Sequence, residues 1–401
     1  MATIISSKTS GVGGLSVTGD ASGVLQLASA DGTTAVTIDA SQNVTFAGSV
    51  NTPNTFGFKN RIINGGMVID QRNAGASVTP NGVYTLDRWV AYQSVASKYS
   101  LQQNAGAVTP PVGFSNYLGI TSLSAYSVVS GDAFTLRQSI EGFNIADLGW
   151  GTANASTVTL SFWARSSLTG TFGGTLNNLG YVESYPFTYT ISAANTWEKK
   201  SITIAGDTTG TWATGNTNGV IVGWSLGAGT TFSGTAGSWA TATYTSATGA
   251  VSVVGTSGAT FYITGVQLEK GSTATSFDYR DYGRELALCQ RYYYRVTPGA
   301  LNVEVGIGGS YLTTAARILV ALPVTMRIAP TSLEQTGTAS NYNVIELGLT
   351  VTVCSAVPAF STANVNSASI TLITASGLTG NRPASMYTAS TTAFFGLSAE
   401  L

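Results

Sequence analysis

The stretch Thr157-Val158-Thr159-Leu160-Ser161-Phe162-Trp163-Ala164-Arg165 indicates the fold class. Apolar residues alternate with mostly polar ones, as in a β-strand with one buried face. Similar runs occur at residues 84–90, 133–138, 197–204 and 259–268. Turns rich in Gly, Asn, Ser and Thr separate them, without amphipathic helices. We therefore predict an antiparallel two-sheet sandwich of the jelly-roll type over residues 56–280.

The amino-acid composition supports an all-β protein. Only 9% of the 401 residues are charged, whereas about 25% is usual, and the Glu, Lys and Arg that cover the wet faces of helices are scarce. Histidine is absent. Its absence excludes Ser-His-Asp catalysis, Cys-His catalysis and imidazole metal sites. The two cysteines, Cys289 and Cys354, are too few for a disulfide scaffold, and we expect both to be buried.

Charge and hydrophobicity limit the partners of the chain. The net charge is −1, and basic residues do not cluster beyond Lys199-Lys200, so we expect no nucleic-acid partner. No stretch is long and apolar enough to span a bilayer, and the N-terminus lacks a signal-peptide pattern. We therefore expect synthesis in the cytoplasm and no membrane insertion.

Residues 1–55 are predicted to be a separate unit of short strands. Apolar pairs alternate with polar residues, and turn residues separate them; the pairs are Leu25 and Leu27, Val36 and Ile38, and Val44 and Phe46. Asp31-Gly32 is a hairpin signal, Ser41-Gln42-Asn43 separates the last two runs, and residues 52–55 form a linker. Because so few large apolar residues cannot close a core, we predict strands that intertwine with copies from neighbouring chains. A flexible tail is the alternative.

A short helix and a second β-unit complete the predicted organisation. Residues 281–294 form a linking helix with Asp281 as its N-cap. One stripe of this helix holds Leu286, Cys289, Gln290 and Tyr293. Residues 295–401 contain short strand-like runs, such as 316–322 and 368–373, and are predicted to form a small C-terminal β-sandwich whose faces suit self-association.

Several motifs together resemble a family of bacteriophage tail fibres and receptor-binding proteins. They are FKNRIINGGM at 58–67 followed by IDQRNAG at 69–75, YTLDRW at 84–89, QLEKG at 267–271 with Phe277, ELALCQRYY at 285–293 and GLSAEL at 396–401. The resemblance implies a homotrimer in the virion tail that docks to other tail proteins through residues 1–55. It also implies that the middle unit is similar to carbohydrate-binding jelly rolls, with a bacterial surface polysaccharide or lipopolysaccharide as partner.

The charged residues in these motifs are interpreted as structural. They lie beside apolar strand residues, where charges usually serve pairing; the set is Arg61, Asp70, Arg72, Asp87, Arg88 and the core residue Trp89. We expect Asp87 and Arg88 to pair with each other or to bind backbone. We also expect Asn64-Gly65-Gly66 to form a turn with positive φ.

Aromatic residues outside the clear strands are the candidate glycan-binding residues, because their rings can stack on sugars. The candidates are Tyr181, Tyr185, Trp212, Trp239, Tyr342 and Tyr387, with Asn216 as a polar contact. Further polar candidates are Asn177, Asn178, Asn218, Asn341, Asn343 and Arg382. Residues 169–180 and 208–219 are expected to be long surface loops. The alternative for each ring is a core or subunit contact.

Two other functions remain open. A glycan-cleaving tailspike needs two carboxylates at a fixed separation, and nothing in the sequence brings together any two of Glu141, Asp147, Glu183 and Asp207. A purely structural virion protein would share this composition. We predict no catalytic residues, no metal site and no cofactor.

Overall fold

The computed structural model describes residues 24–28, 34–41, 44–46, 58–79, 82–348 and 351–401. Contacts within the chain define two units, residues 1–55 and 56–401. In the described part of the first unit, β1 (Leu25–Ala28), β2 (Thr34–Ile38) and β3 (Val44–Phe46) form an antiparallel sheet in that order. The turn predicted at Asp31-Gly32, most of 41–43 and the linker at 52–55 lie outside the described residues. Intertwining with other chains stays a prediction.

The first sandwich of the second unit contains thirteen strands. They are β4 (Val83–Leu86), β5 (Trp89–Gln93), β6 (Tyr99–Gln103), β7 (Leu118–Ser122), β8 (Ala133–Glu141), β9 (Val158–Ser166), β10 (Gly170–Asn177), β11 (Ser184–Ile191), β12 (Glu198–Ile204), β13 (Asn218–Ala228), β14 (Ser233–Gly234), β15 (Ser246–Ala247) and β16 (Thr260–Lys270). A six-stranded sheet has the order β11-β10-β13-β8-β5-β4, and a five-stranded sheet the order β12-β9-β16-β7-β6. The short strands β14 and β15 pair with each other. The predicted all-β sandwich of the jelly-roll type is confirmed.

Alternating side chains build the core between these two sheets. Val158, Leu160 and Phe162 of β9 are fully buried, as the opening stretch predicts. The ring of Phe162 meets Trp224 of the opposite sheet edge-to-face at 5.4 Å between centroids, and Trp224 contacts Trp89 at 5.6 Å. Burying aromatic rings of this size contributes strongly to stability.

A single helix and a second pair of sheets follow. The helix α1 (Tyr282–Gln290) begins after Asp281, whose carboxylate accepts a hydrogen bond from the Arg284 amide at 2.9 Å, so the predicted N-cap is confirmed. The helix is shorter than predicted, because Tyr293 already belongs to the next strand. Those strands are β17 (Tyr293–Val296), β18 (Glu304–Leu312), β19 (Ala315–Ala321), β20 (Leu333–Gln335), β21 (Tyr342–Glu346), β22 (Val351–Val353), β23 (Ala359–Ala363), β24 (Ser367–Ile373), β25 (Arg382–Thr388) and β26 (Phe395–Ser398).

These strands form a seven-stranded sheet, β22-β21-β25-β18-β19-β24-β23, and a three-stranded sheet, β17-β26-β20. One apolar cluster contains Ile318 and Met386 of the larger sheet and Phe395 of the smaller one, so the two sheets share a core. Both cysteines are buried and unpaired, as predicted. In the described part of the chain, no helix has the length and hydrophobicity needed to cross a membrane.

Two local predictions are wrong, and glycine or turn chemistry explains each. Residues 170–177 form β10 rather than a loop. Glycine is required inside this strand, because a side chain at Gly174 would lie 2.4 Å from the Gly223 carbonyl oxygen. The run 84–90 is interrupted at Asp87-Arg88, where Arg88 has φ 71°. The turn with positive φ predicted at Asn64-Gly65-Gly66 is confirmed, and the positive φ belongs to Asn64 at 57°.

Candidate functional site

The outer face of the six-stranded sheet carries a tyrosine–arginine cluster. Trp89 and Ala91 of β5 face the core, which turns Tyr92 outward; likewise Leu136 of β8 faces inward and Arg137 outward. This alternation follows from the two-residue repeat of a strand. Tyr181 joins them from the turn that follows β10. We call Tyr92, Arg137 and Tyr181 the sheet-face cluster.

The guanidinium of Arg137 lies between the two rings of the sheet-face cluster. Its Cζ atom is 5.3 Å from the ring centroid of Tyr92 and 5.5 Å from that of Tyr181, both within cation–π range. Nη1 of Arg137 also donates a hydrogen bond to the Tyr181 hydroxyl. Burial raises the pKa of Tyr181, so this ring stays a neutral phenol. Tyr92 keeps 38% of its surface exposed.

The turn that carries Tyr181 is fixed by its own hydrogen bonds. The side-chain oxygen of Asn178 accepts from the amides of Val182 and Glu183, each at 2.9 Å. The Thr243 hydroxyl donates to the Tyr181 carbonyl at 3.2 Å. Tyr181 itself has φ 57°, a conformation that a non-glycine residue adopts only when its surroundings hold it there. The ring is therefore positioned before any ligand arrives.

Arg137 has an uncompensated charge within the described part of the chain, because no carboxylate oxygen there lies within 4.0 Å of it. A guanidinium presents five N–H donors in a planar fork, and the Tyr181 hydroxyl is the one acceptor bonded to it among the described residues. The remaining donors can bind a carboxylate, a phosphate or sugar hydroxyls.

Neighbouring segments frame the cluster. At one end of the sheet, Ser246 and Ala247 cover the face so closely that a side chain on Gly173 would lie 2.7 Å from Ser246 Oγ. At the other, the Tyr84 hydroxyl donates to the Leu401 carbonyl at 2.7 Å. Between these two coverings, a side chain at Gly223, the cross-strand neighbour of Arg137, would have no contact shorter than 3.6 Å. Around Arg137, the outward-facing residues Thr135, Thr175 and Gly223 are buried, so the exposed part of the cluster is Tyr92 with part of Arg137 itself.

Three of the aromatic candidates are not available for stacking. Tyr185 of β11 and Trp212 both belong to the core of the first sandwich, with 7% and 8% of their surfaces exposed. Tyr342 belongs to the C-terminal core and is fully buried. Trp212 contacts Trp150 edge-to-face at 4.7 Å, and its indole N–H donates to Asp207 at 2.9 Å. The hypothesis that these three rings bind a glycan is corrected, because protein covers their faces.

The other candidates are separate from one another. Trp239 is half-buried and contacts Trp212 and Tyr185 at 5.3 and 5.2 Å. Asn216 is exposed, and its carbonyl accepts from Arg327 at 2.7 Å. Tyr387 is half-buried on the outer face of the seven-stranded sheet. Of the predicted rings, Tyr181 alone belongs to the sheet-face cluster, and glycan contact by the exposed candidates stays a prediction.

The predicted structural residues make long-range contacts. Arg61 forms a bidentate pair with Asp147 at 2.8 and 2.9 Å. Asp70 accepts from the amides of Asn73 and Gly75 at 2.9 and 2.7 Å. The guanidinium of Arg72 lies 3.5 Å from the ring centroid of Tyr293.

Asp87 and Arg88 do not pair with each other. Asp87 accepts from the Gln71 amide at 2.9 Å, whereas Arg88 pairs with Glu400. The alternative that each binds backbone is confirmed, because Asp87 accepts from the Gln71 amide and Arg88 donates to the Ser139 carbonyl. Trp89 is fully buried in the core.

Glu183 and Asp207 lie near each other, contrary to the sequence-based expectation. A Cβ atom on Gly210 would be 2.7 Å from Glu183 Cγ and 2.9 Å from Asp207 Oδ2. Both residues are buried, with Glu183 accepting from Thr241 at 3.1 Å. Glu141 instead binds Arg291, and although burial pushes the pKa of Glu141 up, hydrogen bonds from Arg291 and Tyr292 hold it below its usual range.

Within the described ranges, no three Cys, Asp or Glu side chains gather as a metal site requires. The absence of a metal and of a cofactor remains a prediction.

Comparisons with known proteins give weak similarities. No protein-family model matches the chain, and no curated protein is significantly similar in sequence. A putative sugar-binding protein from Bacteroides thetaiotaomicron is 13% identical over 53% of this chain and all of that chain, with a TM-score of 0.34. TmCBM61, solved with β-1,4-galactotriose, is 10% identical over 53% of this chain and 99% of its own, with a TM-score of 0.28.

The third comparison is with the enzymatically active domain of tailspike protein 4 of bacteriophage CBA120. It is 14% identical over 53% of this chain, with a TM-score of 0.29, and this chain spans 21% of that one. Similarities of this size leave the function to be argued from the residues of this chain.

Proposed function

We propose that the chain is a non-catalytic tail-fibre subunit that attaches a phage virion to a bacterial surface polysaccharide or lipopolysaccharide. The observation that carries the proposal is the guanidinium of Arg137, which has no carboxylate partner among the described residues and lies within cation–π range of the partly exposed Tyr92 ring and of Tyr181. Aromatic faces beside a small number of directed polar groups are what a glycan site needs. The sequence motifs that resemble phage fibres supply the virion context.

The guanidinium also favours one class of glycan. Arg binds carboxylates and phosphates through paired N–H donors, and these charge-assisted bonds are roughly twice as strong as neutral ones. Acidic polysaccharides and the phosphates of lipopolysaccharide carry such groups. The proposed preference is therefore for anionic over neutral glycans.

A matched pair of variants tests the proposal on an array of acidic and neutral bacterial surface polysaccharides. Arg165 is the control, because it lies on the other sheet with its Cζ 5.3 Å from the Tyr262 ring centroid. We expect Arg137→Ala to weaken binding to acidic glycans roughly tenfold or more and Arg165→Ala to leave it unchanged. Equal binding by wild type and Arg137→Ala would contradict the proposal. Release of reducing sugar would instead favour a tailspike enzyme.

The proposed fibre is a homotrimer, and the outer face of the seven-stranded sheet fits contact with a second copy of the chain. Ile307, Leu319 and Leu347 are 66%, 53% and 76% exposed on this side of the unit. Exposed apolar groups clustered in this way usually mark an interaction surface. Glu304 begins β18 and Arg317 lies opposite Gly309 further along it, so the face has an anion at one end and a cation at the other. A second copy can match these charges.

Light scattering tests self-association. Wild type is expected near three times 41.2 kDa. Ile307→Lys is expected to lower the mass toward that of one chain, because a charge would be buried in the interface. Val112→Lys is the control, since Val112 is fully exposed on the first sandwich. A wild-type monomer would remove the trimer from the proposal, and an unchanged mass for Ile307→Lys would remove this face from the interface.

A further inference from the structure

A small pocket lies away from the sheet-face cluster, and residues of three sequence motifs form part of it. Its volume is about 110 Å³, and its walls include Gly65, Gly66, Phe114, Asp278 and Glu285. A cavity of about 150 Å³ holds a benzene ring, so this smaller one can take in part of a ring-sized group while the rest of the group stays at the open side. We call it the aromatic pocket.

Three aromatic rings form one wall of the aromatic pocket. Ring centroids are 5.0 Å apart for Phe114 and Phe277, 4.9 Å for Phe277 and Tyr279, and 5.6 Å for Phe114 and Tyr279. Tyr279 is 61% exposed, so much of its ring remains free while the two phenylalanines support it. A large aromatic side chain exposed beside a cavity and held in place is typical of a binding site rather than of a core.

The rings are fixed by the backbone around them. The Gln267 side chain donates to the Ser276 carbonyl at 3.3 Å and accepts from the Asp278 amide at 2.8 Å, which holds the chain on both sides of Phe277. Glycine at 265 gives Phe114 space, because a Cβ atom there would lie 2.6 Å from its Cζ atom. Because these rings are already ordered, they lose little conformational entropy when a ligand binds.

One carboxylate of the pocket can accept hydrogen bonds from a ligand. Arg280 donates a hydrogen bond to Glu285 at 3.3 Å and another to the Ile62 carbonyl at 3.0 Å. Asp278 keeps 31% of its side chain exposed, with the Asn60 amide at 3.4 Å and the Arg280 guanidinium at 3.7 Å. An ionised carboxylate has about four acceptor sites, so Asp278 can accept further hydrogen bonds.

We propose that the aromatic pocket binds a single neutral pyranose unit, with its C–H face on the exposed Tyr279 ring and two of its hydroxyls donating to Asp278. The ligand class rests on the proposed glycan-binding function. A small organic cation is the competing ligand, because the two carboxylates of the pocket, Asp278 and Glu285, outnumber its one guanidinium, Arg280. The pocket would thus bind one sugar of a glycan, whereas the sheet-face cluster binds a charged group.

Saturation-transfer NMR on the full chain tests the pocket. The probes are the methyl glycosides of glucose, galactose, mannose and N-acetylglucosamine, with choline as the cation. The variants are Tyr279→Ala and Asp278→Asn. The control is Tyr282→Ala, which removes a ring that is 64% exposed and outside the pocket. We expect at least one glycoside to bind wild type and Tyr282→Ala equally, and each pocket variant to bind it roughly fivefold to tenfold more weakly.

Three results would overturn the inference: no glycoside bound by wild type, stronger binding of choline, or a glycoside signal that survives Tyr279→Ala. Arg137→Ala separates this inference from the proposed function. A signal lost in Arg137→Ala but kept in Tyr279→Ala assigns the sugar to the sheet face and removes the pocket. Glycoside binding in the pocket without any polysaccharide binding on the array retains the pocket and removes the proposed function.

Discussion

The guanidinium of Arg88, in the turn between β4 and β5, donates a hydrogen bond to the carboxylate of Glu400 after the last strand. Both side chains are buried, with 1% and 6% of their surfaces exposed. Arg88 also donates to the Ser139 carbonyl at 2.5 Å and lies 3.6 Å from the ring centroid of Tyr292. Burial alone would lower the pKa of Arg88, but the carboxylate of Glu400 holds it above its usual range.

Removing the charge of Glu400 is expected to destabilise the fold strongly. Glu400→Gln leaves a buried guanidinium without its countercharge, which costs about 3–5 kcal/mol in the free energy of unfolding. Urea unfolding measures this loss. Glu304→Gln is the control, because Glu304 is exposed and has no ion pair in the described residues. Equal stability of the two variants would show that the Arg88–Glu400 pair contributes little.

Gly65 and Gly66 are neighbours that are expected to respond differently to alanine. A Cβ atom on Gly65 would lie 2.2 Å from the Val266 carbonyl oxygen, whereas one on Gly66 would meet nothing closer than 3.9 Å. Gly65→Ala must move a backbone that also bonds to Asn60, and we expect a loss of about 1–3 kcal/mol. Gly66→Ala should stay within about 0.5 kcal/mol of wild type. Similar unfolding midpoints for both would contradict this packing.

Asp87 is expected to make stability depend on pH. Burial raises its pKa to about 7 even though the Gln71 amide donates to the carboxyl. An unfolded Asp titrates near 3.9, so the folded protein binds the proton more tightly. The contribution to stability is complete below about pH 4 and is lost as the pH rises through about 7.

Thermal melting between pH 5 and pH 8 measures this dependence. The window contains no histidine titration because the chain has no histidine. Wild type should melt at lower temperature as the pH rises, and Asp87→Asn should give a flatter profile because its side chain does not titrate. Parallel profiles for the two proteins would assign the pH dependence to another group.

Trp212→Ala is expected to lower stability rather than only glycan binding. The ring packs against Trp150 and Trp239, and truncating a buried Trp costs about 3–5 kcal/mol. Phe143→Ala, which removes a 63% exposed ring, serves as the control. Chemical unfolding and adsorption to cells are measured together. Reduced adsorption at unchanged stability would return Trp212 to the glycan site.

Alternation and helix capping in the sequence predicted the strands and the helix that depend on neighbouring residues alone. The alternation at 157–165 predicts β9, and Asp281 before a run of helix formers predicts α1. The same alternation would have pointed to Arg137 and Tyr92, since each occupies the polar side of a strand. The break at Asp87-Arg88 carried no comparable signal, because non-glycine residues rarely adopt the positive φ of Arg88.

Contacts between distant segments could not be predicted in this way. Glycine-rich β10 resembles a loop in the sequence because its strand formers are few, and the need for glycine arises from Gly223 and Phe187 on the neighbouring strands. Trp212 lies in a turn-rich segment, yet Trp150 and Trp239 bury it from elsewhere in the chain. Burial of this kind depends on the tertiary arrangement rather than on local spacing.

The separation of 312 residues between Arg88 and Glu400 has a consequence for biosynthesis. At about 5–20 residues per second, a ribosome reaches Glu400 roughly 15–60 s after Arg88. During this interval the guanidinium has no countercharge and must stay hydrated, so the β4–β5 hairpin cannot settle into its final buried position. We therefore expect the Arg88 side chain to reach its final buried position only after nearly all of the C-terminal strands have been translated.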